Sequence, residues 1–214
     1  LDDRAGAVLS EQGKIDEALR RMERAVRATE ARGATDTMNF AGYLNDWAAV
    51  LDRAGRYDDA LAAYQRAIAI EERLRGAHHP ELAHALNNLA IVLERKRRYE
   101  EARAAYQRAL DIAEELGGID GTADFLDNLA GVLGRMGRLD EALASYERAI
   151  ILRPDYAEAY SNMGNVLKQL NRMDEALARC DLMIALKPDS PDAYVNRGAI
   201  LRIMMRLEES LASF

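Results

Sequence analysis

Apolar residues return along this chain at steps of three and four, and the same short patterns come back several times. Ala60, Tyr64 and Ala67 reappear as Ala102, Tyr106 and Ala109, and again as Ala142, Tyr146 and Ala149. Steps of four and three stay on one face of a helix, so each set predicts an amphipathic helix. A second pattern, Leu86, Leu89 and Leu93, returns as Leu126, Leu129 and Leu133 and as Tyr160, Met163 and Leu167. Ala48, Ala90, Ala130, Gly164 and Gly198 fall on the packed side of these helices, where small side chains let a neighbouring helix approach closely. Two kinds of helix therefore alternate, and the prediction is an all-α chain.

Between the two kinds lies a marker. The triplets "DEA", "DDA", "EEA", "DEA", "DEA" and "EES" end at residues 18, 60, 102, 142, 176 and 210, so the period shortens from 42 through 40 to 34. Repeats of this length are the signature of a stacked helix-pair array. Gly13, Gly55, Gly137 and Asn171 precede the triplets and suit the left-handed residue that ends a helix. Asp16, Asp58, Asp140 and Asp174 follow and are expected to cap or favour the start of the next helix. Arg97 and Met205 stand where the other turns carry Gly or Asn, which predicts two looser turns. Pro80 and Pro191 read as first helical residues, with Ser190 as a cap.

With Tyr160-x-x-Met163-Gly164-x-x-Leu167, Ala176 and Pro188 in register, the chain resembles the tetratricopeptide-repeat (TPR) family over nearly its whole length. The stretch 75–115 is similar to the longer kinesin-light-chain type of repeat, and the last units have the standard 34-residue period. The resemblance implies a right-handed superhelical α-solenoid of antiparallel helix pairs. Its expected extent is a single solenoid over 1–214, about six units with the first and last incomplete, long-period to about 122 and 34-residue from about 123. "GGIDGT" at 117–122 is the softest linker candidate, read as a bend within an unbroken stack. Phe214 falls halfway through a second helix, which predicts a longer parent protein, further residues, or a partner over that end.

Composition narrows the function more than the fold. Hydrophobic residues make up 49% and charged residues 30%, which is foldable, and aromatics at 6% leave little for a sheet. A net charge of −7 argues against a dedicated nucleic-acid binder. No apolar run reaches the roughly 18–20 residues of a membrane span. A single Cys rules out an internal disulfide and fits a reducing, cytoplasmic setting, while Leu1 in place of Met leaves room for an upstream segment.

The chemistry-bearing residues form columns. Asn88, Asn128, Asn162 and Asn196 are equivalent, with Asp46 in the same place one unit earlier. A carboxamide offers both a donor and an acceptor, so a repeated row of them can track a peptide backbone. The family resemblance implies that these residues line the concave side of the stack, where kinesin light chains use such Asn ladders. Asn45, Asn87, Asp127, Ser161 and Val195, one residue earlier, are expected to face the same groove. So are Ala49, Ile91, Gly131, Asn165 and Ala199, one turn later. Arg53, Arg95 and Arg135, with Lys168 and Arg202 near the other end, form a cationic column suited to carboxylates. Asp124, Glu158 and Asp192 oppose it at helix starts, an arrangement that helix dipoles favour in any case. The carboxylate clamp of chaperone-binding relatives is not matched: Ser161 replaces its Lys, and Asp127 and Gly131 replace its Lys–Asn pair, although Asn165 and Asn196 agree.

His78, His79 and His84 have no Cys or acidic partner at metal-ligand spacing and read as loop and helix-start residues. Cys180 aligns with the buried tyrosines and Trp47 with core leucines. No phosphate-binding glycine loop or nucleophile–base pair is visible, so neither a cofactor, a metal nor enzyme activity is expected. The reading is a protein–protein interaction module holding an extended peptide through the asparagines, with Asn165, Asn45, Asn87, Arg95 and Arg135 as secondary contacts. Self-assembly through the C-terminal unit, where Met204, Met205 and Leu207 lie, is the alternative, as is a sensor arm of a larger signalling protein.

Overall fold

The protein is described by a computed structural model covering residues 14–118 and 121–206. Ten helices and no strand occur among the described residues. The chain divides into two compact units, Leu1–Asp120 and Gly121–Phe214. The first holds α1 (Ile15–Ala31), α2 (Met38–Arg53), α3 (Tyr57–Arg75), α4 (Pro80–Arg95) and α5 (Tyr99–Glu115). The second holds α6 (Thr122–Arg135), α7 (Leu139–Leu152), α8 (Ala157–Gln169), α9 (Met173–Leu186) and α10 (Pro191–Ile203). Within each unit every helix packs on the next in sequence, and the first helices also touch: α2 meets α4, and α6 meets α8. Such nearest-neighbour packing is that of an all-α solenoid, in which each pair buries its apolar face against the next.

The periodic residues are the core. Ala60, Ala102, Ala142 and Ala176 are fully buried, and Tyr64, Tyr106, Tyr146 and Cys180 are buried beside them. Each large apolar side chain so placed contributes about 1.5–3 kcal/mol of burial energy. Ala48, Ala90, Ala130, Gly164 and Gly198 are likewise buried. A Cβ added at Gly164 would meet the Ala176 carbonyl oxygen at 3.8 Å, which shows how closely α8 and α9 approach. Trp47 bridges two clusters of the first unit, packing against Phe40, Leu44 and Ala67 on one side and Met22 and Val50 on the other.

All five described turns after first helices have one geometry. Gly55, Gly137 and Asn171 take φ of 75°, 76° and 59°, and Arg97 and Met205 take 59° and 61°. In each, the next backbone N–H returns 2.9 Å to a leucine carbonyl: Arg56 to Leu51, Arg98 to Leu93, Arg138 to Leu133, Arg172 to Leu167 and Arg206 to Leu201. The looser turns expected at Arg97 and Met205 are thus absent. Those leucines are buried, and the backbone bonds they anchor outweigh the roughly 1–2 kcal/mol a Cβ costs in this conformation.

The expected aspartate caps also need correction. The residues before α3, α5, α7 and α9 are Arg56, Arg98, Arg138 and Arg172, and none makes a side-chain cap bond. Asp58, Asp140 and Asp174 lie in the first turn, where they favour the helix dipole without capping, and Asp58 also pairs with Lys96. Each arginine instead reaches forward three residues to an acid. Arg56 Nε donates to Asp59 at 2.7 Å, and Arg98, Arg138 and Arg172 bind Glu101, Glu141 and Glu175 through two bonds of 2.6–2.7 Å each. Ser190 precedes α10 without a side-chain cap bond, whereas His79 Nδ1 accepts the Glu81 N–H at 3.2 Å ahead of α4. Gly13, Leu207 and Phe214 lie outside the described residues.

Candidate functional site

The first helices bury their small and leucine-bearing residues, and the asparagines between them differ in exposure. In the first unit, α2 carries Asn45 and Asp46 and α4 carries Asn87 and Asn88. Asp46 is exposed and Asn88 half-buried, and the Asn88 carboxamide makes no hydrogen bond among the described residues. Asn87 is 9% exposed, so it sits in the wall and not on it. Asn45 is half-buried, and its Oδ1 is sealed from solvent with no hydrogen-bond partner. At the other end of these helices Arg95 Nε stands 3.1 Å from Asp52 Oδ1, without the alignment of a hydrogen bond. Burial raises the Asp52 carboxyl and Arg95 pulls it back. On α5, Tyr106 donates its hydroxyl to Glu94 at 3.2 Å.

In the second unit, α6, α8 and α10 present Asn128, Asn162 and Asn196, all half-buried, with Asn165 exposed one turn further along α8. Asn162 and Asn196 are wired to the preceding first helix. Asn162 Nδ2 donates to Asp127 at 3.2 Å to Oδ1 and 3.5 Å to Oδ2, and Asn196 Nδ2 donates to Ser161 Oγ at 3.5 Å. Asn128 and Arg135 also interact within the protein. Asp127 is half-buried; burial pushes its carboxyl above the usual range, Asp124 and Glu158 reinforce the shift, and Asn162 and Arg153 oppose it. Beside it Gly131 leaves an opening, where an added Cβ would stand 3.7 Å from the Tyr146 hydroxyl. Lys168 is half-buried and Arg202 exposed, and neither forms an ion pair among the described residues.

The acidic helix starts have partners that were not read from the sequence. Arg153 binds Asp124 through two bonds of 2.9 and 2.8 Å, and Tyr156 donates its hydroxyl to Asp124 at 2.8 Å. Its guanidinium stacks on the same tyrosine ring, 4.4 Å from the centroid. Lys187 binds Glu158 at 2.5 Å in the equivalent place one repeat on. The signal was present: "LRPD" at 152–155 and "LKPD" at 186–189 put a cation before Pro-Asp, each 29 residues after its acid. Among the described residues no three His, Cys, Asp or Glu side chains gather as metal ligands. His78 pairs with Glu115 and His79 caps α4.

These features can be compared with known proteins. A tetratricopeptide-repeat family model matches residues 39–115 and 81–153, and a second one matches 135–196. No curated protein sequence matches the chain. Among solved structures, BtubC (BKLC) from P. vanneervenii is 21% identical with a TM-score of 0.78, covering 94% of this chain and 87% of its own. A Podospora anserina protein whose structure is described as nearly identical TPR-like repeats of the kinesin-light-chain kind is 13% identical with a TM-score of 0.77, covering 87% of this chain and 93% of its own. YrrB, described as a TPR protein with an unusual peptide-binding site, is 24% identical with a TM-score of 0.62, covering 87% of each chain. At these identities the structures speak to fold alone, and they agree with the helix-pair packing above. With the repeat register, the packed helix pairs and the model matches over 39–196 in accord, the chain belongs to the tetratricopeptide-repeat family.

Proposed function

We propose that this protein is a non-catalytic interaction module that binds an extended peptide or partner segment along the asparagine-bearing faces of its first helices. The observation that carries the reading is the carboxamide of Asn88. It is half-buried on the first-helix face, and its donor and acceptor are both unengaged among the described residues. Asn165 is similarly unengaged on α8 and exposed. A free carboxamide can meet a peptide N–H and C=O together, which suits an extended strand better than a compact ligand. YrrB, a structural neighbour, is described as having a peptide-binding site, in accord with this reading. Arg95 contributes less, because Asp52 already neutralises it.

Peptides selected on the wild type from a random linear library provide the test. Their affinity is expected to fall about ten- to a hundredfold in the Asn88→Ala/Asn165→Ala double variant, the loss of roughly two net hydrogen bonds. Unchanged affinity, with unchanged thermal unfolding, removes the asparagine faces from consideration. A self-assembling scaffold is a second reading, favoured by Val195, Ile203 and Met205, which are 51%, 56% and 77% exposed on and just after α10. Light scattering that rises with concentration, and falls in Ile203→Ser/Met205→Ser, would support it.

A further inference from the structure

Of the residues that share a place in the first helices, Asn45, Asn87, Asp127, Ser161 and Val195, Asp127 alone is a pure acceptor when ionised. Its one side-chain hydrogen-bond donor among the described residues is Asn162. A carboxylate can meet a carboxamide only through nitrogen, so this contact fixes which way the Asn162 amide is turned. Its Oδ1 makes no hydrogen bond among the described residues. No cation pairs with Asp127 among the described residues, and the Arg153 guanidinium nearby binds Asp124 through both of its terminal nitrogens.

Asn196 and Asn88 are not locked in this manner. Asn196 meets Ser161, whose hydroxyl both donates and accepts, and at 3.5 Å the contact is weak. In the first unit Asn45 occupies the place of Asp127, and Asn88 is unengaged. Of Asn88, Asn162 and Asn196, it is Asn162 whose polarity the protein imposes through an anionic neighbour. The charge around it acts in the same direction. A ligand carbonyl brought to Asn162 Oδ1 meets an acceptor, close to Asp127, on whose charge Asp124 and Glu158 act in the same sense and Arg153 in the opposite one. A ligand N–H finds both an acceptor and a favourable field.

We propose that Asp127 is a positioning residue for specificity: it holds Asn162 with its oxygen toward the ligand, so that α8 takes peptide N–H donors and rejects carbonyls at that point. The proposal rests on the peptide-binding reading above and adds the polarity of one contact. It predicts that a bound strand places a backbone N–H, and never a carbonyl, at α8, which gives it a preferred register there.

The experiment uses the whole chain and a peptide selected from a random linear library, resynthesised as a series methylated at one backbone nitrogen at a time. N-methylation removes a donor and leaves every carbonyl in place. In the wild type at least one position is expected to lose about three- to tenfold in affinity, the value of one hydrogen bond. Asp127→Asn offers Asn162 either a donor or an acceptor, so its amide can turn over, and the penalty at that position should shrink below about twofold. Asn162→Ala should erase the same penalty. A ligand-free readout accompanies this: the side-chain NH₂ signals of Asn162 should shift and exchange faster with water in Asp127→Ala. An unchanged methylation profile in Asp127→Asn, or unchanged Asn162 signals in Asp127→Ala, overturns the proposal while binding itself stands. Peptides that bind Asn88→Ala/Asn165→Ala as well as wild type overturn the wider reading, and this proposal with it.

Discussion

Arg153 and Asp124 are joined by two parallel hydrogen bonds of 2.9 and 2.8 Å, and Tyr156 completes the arrangement from both sides by donating to the acid and stacking under the base. The Arg153 bonds, with help from the Tyr156 hydroxyl and against a burial effect, hold the Asp124 carboxyl below its ordinary range. A carboxyl whose folded pKa is lowered takes up a proton on unfolding. Its stabilisation is present above the ordinary carboxylate range and is lost as pH falls through the folded value. Both side chains are more than a third exposed, so Arg153→Ala should lower stability by only about 1 kcal/mol at neutral pH. Urea unfolding should show that gap closing below about pH 4. A gap that persists in acid would mean the loss comes from packing on Tyr156 and not from charge.

Glu71 presents the opposite case. It is 4% exposed, its Oε2 has no hydrogen bond, and the Arg75 Nε is 3.7 Å away. Burial pushes its carboxyl upward and Glu81 adds to the shift, while Arg75 and His79 pull against it. The ionised form is therefore disfavoured in the folded state, and stability is lost as pH rises through the folded value. Glu71→Gln keeps the shape without the charge. It should raise stability by about 1 kcal/mol near neutral pH, or roughly 2–4 °C in melting temperature. The gain should fade in acid; a variant that melts lower at every pH would show that the Arg75 pairing dominates instead.

Arg97 and Met205 hold the left-handed turn conformation without the glycine that would suit it. Replacing either with Gly should stabilise the protein by about 0.5–1 kcal/mol, since relief of the Cβ clash is partly offset by the freer unfolded chain. The converse change, Gly55→Ala at φ 75°, should destabilise by a similar amount. Equal melting temperatures across all three would show that the turn relaxes around its side chain.

The two kinds of asparagine should separate by stability alone. Asn88→Ala removes a carboxamide with no partner among the described residues and should change stability by less than about 0.5 kcal/mol. Asn162→Ala leaves Asp127 half-buried without its donor and should cost about 1–2 kcal/mol. Denaturant midpoints measure both; similar losses at the two sites would mean the Asp127 contact carries no net energy.

The fold was legible because its signal is repeated. Ala60, Tyr64 and Ala67 specify one helix face, and three registered copies specify a stack. The asparagine columns were legible for the same reason, being fixed relative to that core. What the column did not disclose is how each member is used, because a column records position along one helix while hydrogen bonds run between helices. Asn87 and Asn88 are neighbours in sequence, yet a rotation of one residue buries the first and leaves the second half-open. Asn162 looked equivalent to Asn88 until Asp127, 35 residues earlier, was seen to hold it. The turns misled through residue type: Arg97 is a poor candidate for a left-handed position, but the leucine carbonyl bond decides the conformation.

The clasp that opens α3, α5, α7 and α9 has a consequence for how such a chain can change. Arg56 with Asp59, Arg98 with Glu101, Arg138 with Glu141 and Arg172 with Glu175 are each complete within four consecutive residues, and the backbone bond of the turn that precedes them spans only six. A repeat cut out at these points takes its own punctuation with it. Duplication, deletion or exchange of a single repeat would therefore leave every remaining corner intact, and only the helix faces at the new seam would have to be matched.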